Sequence, residues 1–242
     1  MKLFEGNSIY EVYKKLIKDL LKQDFEKNGT KEITNCILKI NNPTLDNIKF
    51  YHRAFSNKYS TAELKWYWSG DNSCETIGKH AKMWLRLSDD GKTNNSAYGY
   101  IIHKKYGKDQ LQEVIKELEK DDTSRKAVII INDPTIDKLT TKDLQCTIGI
   151  QFLIRNNKLE ETVYMRSNDV YFGLPYDYVY FLSLGHYIAK HFGIEVASYV
   201  HCATSMHMYE KDVKSFEENT EEIQVDNNID EIIGECYDKK YL

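Results

Sequence analysis

Two apolar, β-branched runs flank Asn156-Asn157 within the stretch Leu144 to Asp177, and they restrict the fold more than any other part of the chain. Asparagine tolerates the left-handed backbone of a tight turn, so such runs on either side of it predict a β-hairpin. A hairpin folds the chain back on itself. It brings Cys146, at the start of the first run, beside Arg166, near the end of the second. A thiol held against a guanidinium loses its proton more easily. The stretch therefore reads first as a nucleophilic cysteine with an anion-binding arginine, followed at its far end by Asp177.

No Pro/Gly/Ser-rich linker interrupts the 242 residues, and only three prolines occur, so residues 1–242 are read as one domain. With 41% hydrophobic residues the chain has material for a substantial core, which argues against disorder. A net charge of −4 without an evident basic face argues against direct binding of a nucleic-acid polymer. The five cysteines (Cys36, Cys74, Cys146, Cys202 and Cys236) are odd in number, widely spaced and lack a C-x-x-C. Neither a disulfide framework nor a zinc site fits them, and no metal is expected. The N-terminal residues lack an apolar signal core, and no apolar run is long enough to cross a bilayer. A reduced, cytoplasmic protein with no membrane partner is expected.

Ser8 to Glu11 has the capping-box pattern, and Ile9, Val12, Tyr13, Leu16, Ile17, Leu20 and Leu21 follow at helical spacing. This predicts an amphipathic helix ending near Gln23. Lys27 sits in a loop, and Thr34 to Ile40 alternates like a strand. Ser60-Thr61-Ala62-Glu63 reads as the start of a second helix, which makes Glu63 an N-terminal capping carboxylate. Further helices are expected around 77–87, carrying Trp84, and over 109–120. Arg125-Lys126 read locally as a solvated pair before the strand Ala127–Ile131. Pro175 to Phe192 is helical, with proline in the first turn, and Glu195 to Ala203 is a strand. His207-x-Tyr209, a charged helix and an acidic tail from Glu217 complete the chain. Strands and helices mix without a βαβ rhythm, which points to an α+β fold.

Cys36, Cys74, Cys202 and Cys236 read as small buried hydrophobes, but Cys146 belongs to a longer ordered pattern. That pattern is Ser-Arg-Lys (124–126), Gln-Cys-Thr (145–147), Met-Arg-Ser-Asn-Asp-Val-Tyr-Phe-Gly-Leu-Pro-Tyr-Asp (165–177) and His-Met-Tyr (207–209). On these residues the chain resembles the thymidylate synthase family, from the N-terminal helix to about Tyr209. Within it, Cys-Thr in place of Cys-His, the run Met-Arg-Ser-Asn-Asp-Val and Asp177 are most similar to the phage deoxycytidylate hydroxymethylases.

The resemblance implies a mixed sheet with helices on one face and a homodimer joined sheet to sheet with shared active sites. It implies that Cys146 adds to C6 of the pyrimidine of a nucleoside monophosphate, which makes C5 nucleophilic. Arg166 and Ser167 would bind the 5′-phosphate, joined by Arg125 and Lys126 from the other subunit and by Lys27. The family usually has two arginines at 125–126, and Lys126 keeps the charge without the bidentate fork. His207 and Tyr209 would hold the sugar 3′-hydroxyl. Glu63 would organise water and proton transfer at the base, in addition to or instead of capping its helix, and Tyr98 would assist removal of the C5 proton. Asp169 and Trp84 would face the folate, and the implied one-carbon donor is 5,10-methylenetetrahydrofolate.

Asp177 stands where thymidylate synthases carry asparagine. Cytosine presents an acceptor at N3 and a donor at N4. A carboxyl group sharing one proton answers both, whereas an ionised one would meet O4 of uracil with a lone pair, at a cost of about 1–3 kcal/mol. The bland alternative is that Asp177 caps its helix or is solvated. Ser167 leans toward deoxyribose. The segment Cys236 to Leu242 does not match the C-terminal segment with which thymidylate synthases close their site. That departure favours water over hydride as the final nucleophile, giving a dCMP hydroxymethylase. The rivals are a cytidylate C5-methylase, a thymidylate synthase acting on dUMP, and a non-catalytic nucleotide- or RNA-binding relative.

Overall fold

The computed structural model describes residues 1–46, 48–51, 55–218 and 222–238. Its strands are β1 (Lys2–Gly6), β2 (Thr30–Asn41), β3 (Lys49–Tyr51), β4 (Val128–Ile130), β5 (Thr147–Arg155), β6 (Lys158–Asp169), β7 (Glu195–Tyr209) and β8 (Glu222–Gln224). Its longer helices are α1 (Ile9–Leu20), α2 (Asn57–Trp68), α6 (Gln110–Lys120), α7 (Leu174–Phe192), α8 (Glu210–Glu218) and α9 (Ile229–Cys236). Three short helices, α3 (Cys74–Gly78), α4 (Met83–Leu87) and α5 (Tyr98–His103), lie between α2 and α6.

Six strands form one mixed sheet in the order β1-β2-β7-β6-β5-β4, and β3 pairs with β8 in a second, two-stranded sheet. The β1–β2 and β6–β7 pairs are parallel and the rest antiparallel. The predicted hairpin is β5–β6. Asn156 (φ 51°) and Asn157 (φ 58°) both adopt the left-handed backbone that a two-residue turn demands, and Arg155 pairs with Lys158 across it. At the open end, Arg166 N–H donates to the Cys146 carbonyl at 2.9 Å. The register therefore sets cysteine and arginine side by side.

Helix α7 packs against β6 and β7. Gly185 leaves room there for the Glu161 side chain of β6, since a Cβ at that point would stand 2.2 Å from its Oε2 and displace the carboxyl. Helix α1 lies against β1, β2 and β3, and Ile9, Val12, Tyr13, Leu16, Ile17 and Leu20 are its buried face. Ser8 caps it, but the Glu11 carboxylate reaches back to the Asn7 N–H instead of that of Ser8.

Several boundaries differ from the sequence reading. Helix α2 begins four residues earlier than expected, capped by Ser56 instead of Ser60, so Glu63 lies in mid-helix and is not a capping carboxylate. The helical segment at 77–87 is two short helices. Strand β7 runs on through His207 and Tyr209. The expected acidic tail is folded where described: Ile229, Ile232 and Ile233 of α9 are buried, and so is Tyr237. Residues 239–242, part of the C-terminal segment compared above, lie outside the described residues. The five cysteines are free thiols. No described helix is long and apolar enough to cross a membrane.

Candidate active site

A cavity of about 950 Å³ opens where the site end of the sheet meets α2, α4 and α5. Cys146 reaches it from the residue before β5, Arg166 to Asp169 from the end of β6, and Asp177 from the first turn of α7. Glu63, Trp84 and Tyr98 line it from the helices, and Tyr209 from the end of β7.

The Arg166 guanidinium is held by main-chain carbonyls. Nε donates to Gln145 O at 3.0 Å and Nη2 to Leu144 O at 2.8 Å. That anchoring leaves Nη2 3.6 Å from Cys146 Sγ. The thiol nevertheless sits above its ordinary range. Burial pushes it up, Arg166 pulls it down, and Asp177, Asp143 and Asp169 add to the upward push. The expectation of an easily lost proton is corrected for the free protein, because desolvation outweighs the one adjacent cation.

Glu63 is 7% exposed and accepts a hydrogen bond from the Tyr59 hydroxyl one helical turn before it. Tyr59 in turn accepts from Trp84 Nε1 at 2.9 Å. An indole N–H only donates, so the single phenolic proton of Tyr59 is left for Glu63. Burial and the neighbouring Glu63 hold the Tyr59 hydroxyl well above its ordinary range, which keeps it a donor. Sequence reading missed Tyr59. Its signal was the i, i+4 spacing to Glu63, hidden because the helix was started at Ser60. Tyr98 is also held well above its ordinary range, by burial first and then by Asp177 and Cys146.

Burial raises the Asp177 carboxyl to about 7, opposed by a hydrogen bond from Asn168 and assisted by Asp169. Asn168 Nδ2 donates to Asp177 Oδ2 at 2.7 Å. The Asp169 carboxylate accepts from the N–H groups of Tyr171 and Phe172, fixing the turn into α7. His207 is buried behind Ser167, with Nδ1 3.4 Å from both Ser167 Oγ and Ser205 Oγ, while Tyr209 is half exposed in the cavity wall. Three predicted residues lie away from this cavity. Lys27 is exposed in the turn before β2, and Arg125 and Lys126 are exposed at the entry to β4. Sequence reading also passed over Lys211, which lines the mouth with its ammonium 5.8 Å from the Phe172 ring and 5.5 Å from that of Tyr209.

A family model described as "Thymidylate synthase" matches residues 11–229. A protein of Methanocaldococcus jannaschii described as "Putative thymidylate synthase" is 31% identical, over 84% of this chain and 87% of its own length. The deoxyuridylate hydroxymethyltransferase of Bacillus phage SP01 is 28% identical, over 93% of this chain and 62% of its own. The deoxycytidylate 5-hydroxymethyltransferase of Enterobacteria phage T4 is 32% identical, over 54% of this chain and 55% of its own. The solved thermostable thymidylate synthase A of Bacillus subtilis superposes with a TM-score of 0.70 at 20% identity, covering 88% of this chain and 86% of that one. At that identity the superposition shows the α+β fold.

Proposed function

The chain belongs to the thymidylate synthase family, and from that premise we propose that it is a dCMP hydroxymethylase. In this reading it converts dCMP to 5-hydroxymethyl-dCMP. The observation that carries it is Asp177, a carboxyl in the wall shared with Cys146 and raised to about 7. Near neutral pH it matches cytosine when Oδ1, the oxygen that Asn168 leaves free, carries the proton toward N3 and Oδ2 accepts from the N4 amino group.

Cys146 is the nucleophile at C6. It is a thiol in the resting protein and gives up its proton as the new bond forms. Arg166, whose guanidinium is already fixed by two carbonyls, takes the 5′-phosphate with Ser167. Arg125 and Lys126 of a second protomer complete the phosphate site, and Lys27 joins it only if the turn before β2 moves toward the cavity. Tyr209 and His207, the latter seated behind Ser167, hold the sugar 3′-hydroxyl. Glu63, oriented by Tyr59, orders water at the base. Tyr98 keeps its proton and so assists at C5 by hydrogen bonding rather than as an anion.

The cavity accommodates a second ligand beside the nucleotide: about 950 Å³ is at the upper end for small-molecule sites, and the Trp84 indole with Met83 and Leu87 gives an apolar wall. When bound, 5,10-methylenetetrahydrofolate supplies the one-carbon unit, and Trp84 and Asp169 are the residues to face it. Water as the final nucleophile is favoured by the departure of Cys236 to Leu242 from the family's closing segment. Tyr237 is buried against Trp68 and His103, and it does not line the cavity. Such an enzyme works in the cytoplasm, of a host cell if a phage encodes it. A second reading, hydroxymethylation of dUMP, is favoured by the phage SP01 relative, which matches 93% of this chain.

One experiment tests this reading. The protein is incubated with 5,10-methylenetetrahydrofolate and either dCMP or dUMP, the nucleotide product is weighed, and dihydrofolate is assayed. Hydroxymethylated dCMP without dihydrofolate is expected. Methylated product with dihydrofolate overturns it, and turnover of dUMP alone moves the assignment to the second reading.

A further inference from the structure

Asp177 by itself cannot tell cytosine from uracil. A neutral carboxyl has one donor oxygen and one acceptor oxygen, and it can exchange them. With the donor toward N3 and the acceptor toward the substituent at C4, it matches cytosine. With the two exchanged, it matches uracil. An ionised carboxyl has two acceptors, so each base gives it one good contact and one repulsive one. Discrimination needs something that makes the two oxygens different.

Asn168 does this. Its Nδ2 donates to Oδ2 of Asp177 at 2.7 Å, and no other described side chain donates to that carboxyl. An amide N–H has only a proton to give, so Oδ2 acts as the acceptor, and the proton of the neutral acid goes to Oδ1. The packing is shaped around this contact, since a Cβ at Gly173 would lie 3.0 Å from Asn168 Nδ2 and 2.9 Å from Asp169 O. A second observation is independent of the first. Asn168 is 2% exposed, and its own Oδ1 is buried without a hydrogen-bond partner. An unpaired buried carbonyl is destabilising, and an apolar side chain of similar size would avoid it. The amide is therefore tolerated against stability, and what it supplies is the N–H on Asp177.

We propose that Asn168 is the positioning residue for base choice: by donating to Oδ2 it fixes Oδ1 as the donor oxygen of Asp177, so that the carboxyl reads one pyrimidine edge instead of two. In this proposal Asn168 acts on the base through Asp177. The proposal rests on the reading of Asp177 as the group that meets the base, and it holds whichever pyrimidine is preferred.

The test is the ratio of kcat/KM for dCMP to that for dUMP in Asn168→Leu, which keeps volume and loses the N–H, and in Asn168→Ala. The ratio is expected to move about tenfold or more toward unity, mainly through a gain on the disfavoured base. A merely structural role lowers both nucleotides alike and leaves the ratio where it was. An unchanged ratio overturns the proposal, and the alanine variant carries the test if the leucine variant does not fold. Asp177→Asn, measured in parallel, separates the two claims. If it shifts the ratio while the Asn168 variants do not, only the role of Asn168 fails. If it too leaves the ratio unchanged, the reading of Asp177 has failed.

Discussion

Burial lifts the Asp177 carboxyl from 3.8 to about 7, and this has a consequence for stability as well as for base reading. The folded state holds a proton that the unfolded chain has released, so folding takes up protons between those two values. Below about 4 both states are protonated and the group costs nothing; above about 7 both are ionised and the whole penalty of a buried charge is present. Stability is therefore lost as pH rises through that window. Asp177→Asn removes the titration, and its melting temperature should climb relative to the parent from about pH 4 to about pH 7. Parallel thermal melts that keep a constant offset would show that Asp177 is not held neutral. At this scale the sequence made part of the site readable. Cys146, Arg166 and Asp177 declare themselves by type and position in a recognisable run. Tyr59 and Asn168 do not, because each acts through another side chain: the spacing of Tyr59 to Glu63 shows only once α2 is known to start before Tyr59, and a hydrogen bond between β6 and α7 leaves no local pattern. Glu161 is a related case. Its parity with Leu159, Val163 and Met165 points it inward, yet its type argues for solvent, and the buried carboxyl is held well above its ordinary range by desolvation.

Elements were legible where period and punctuation agreed. The Asn156-Asn157 turn, the apolar stripe of α1 and the Asp109 cap of α6 are each specified within a dozen residues. Strands β1 and β3 and helix α5 are short, and their identity depends on partners far away in the chain, such as β2 for β1 and β8 for β3. The C-terminal segment was misread for the same reason. Its charges suggest a tail, but Asn227 exchanges hydrogen bonds with Ser60 and Thr61 on α2, and Tyr237 fills a pocket among Trp68, His103 and Tyr187. The Tyr237 hydroxyl donates to Asp109 at 3.0 Å and accepts from Gln112 at 3.1 Å. Tyr237→Phe keeps the ring and loses both bonds, so it should cost about 1–2 kcal/mol in denaturant unfolding. Tyr237→Ala also empties the pocket and should cost about 3–5 kcal/mol. Two variants as stable as the parent would mean that this segment does not hold α2 in place.

At the scale of the whole molecule, three apolar side chains on adjacent strands of the six-stranded sheet stand exposed among the described residues. Ile130 is 50% exposed, Ile148 45% and Tyr164 42%, on three adjacent strands of the same sheet. A contiguous apolar patch of this kind marks a contact surface. The exposed Arg125 and Lys126 lie at the entry to β4, on the edge of that sheet and away from their own cavity. In the proposed reading a second copy of the chain packs on this patch, and its Arg125 and Lys126 reach the first copy's phosphate site. Subunit mixing tests the arrangement. A Cys146→Ala protomer has no nucleophile but keeps both cations. An Arg125→Ala protomer keeps its nucleophile and lacks a cation to lend. In a two-fold dimer of one with the other, one site combines an intact Cys146 with an intact Arg125 of the partner subunit. Random exchange makes half the dimers mixed, with one working site of two, so activity should return to about a quarter of the parent value. Introducing Ile130→Glu into both protomers should abolish that recovery and leave a monomer in sedimentation. Mixtures no more active than the sum of their parts, or an Ile130→Glu protein that still sediments as a dimer, would remove this face as the shared interface.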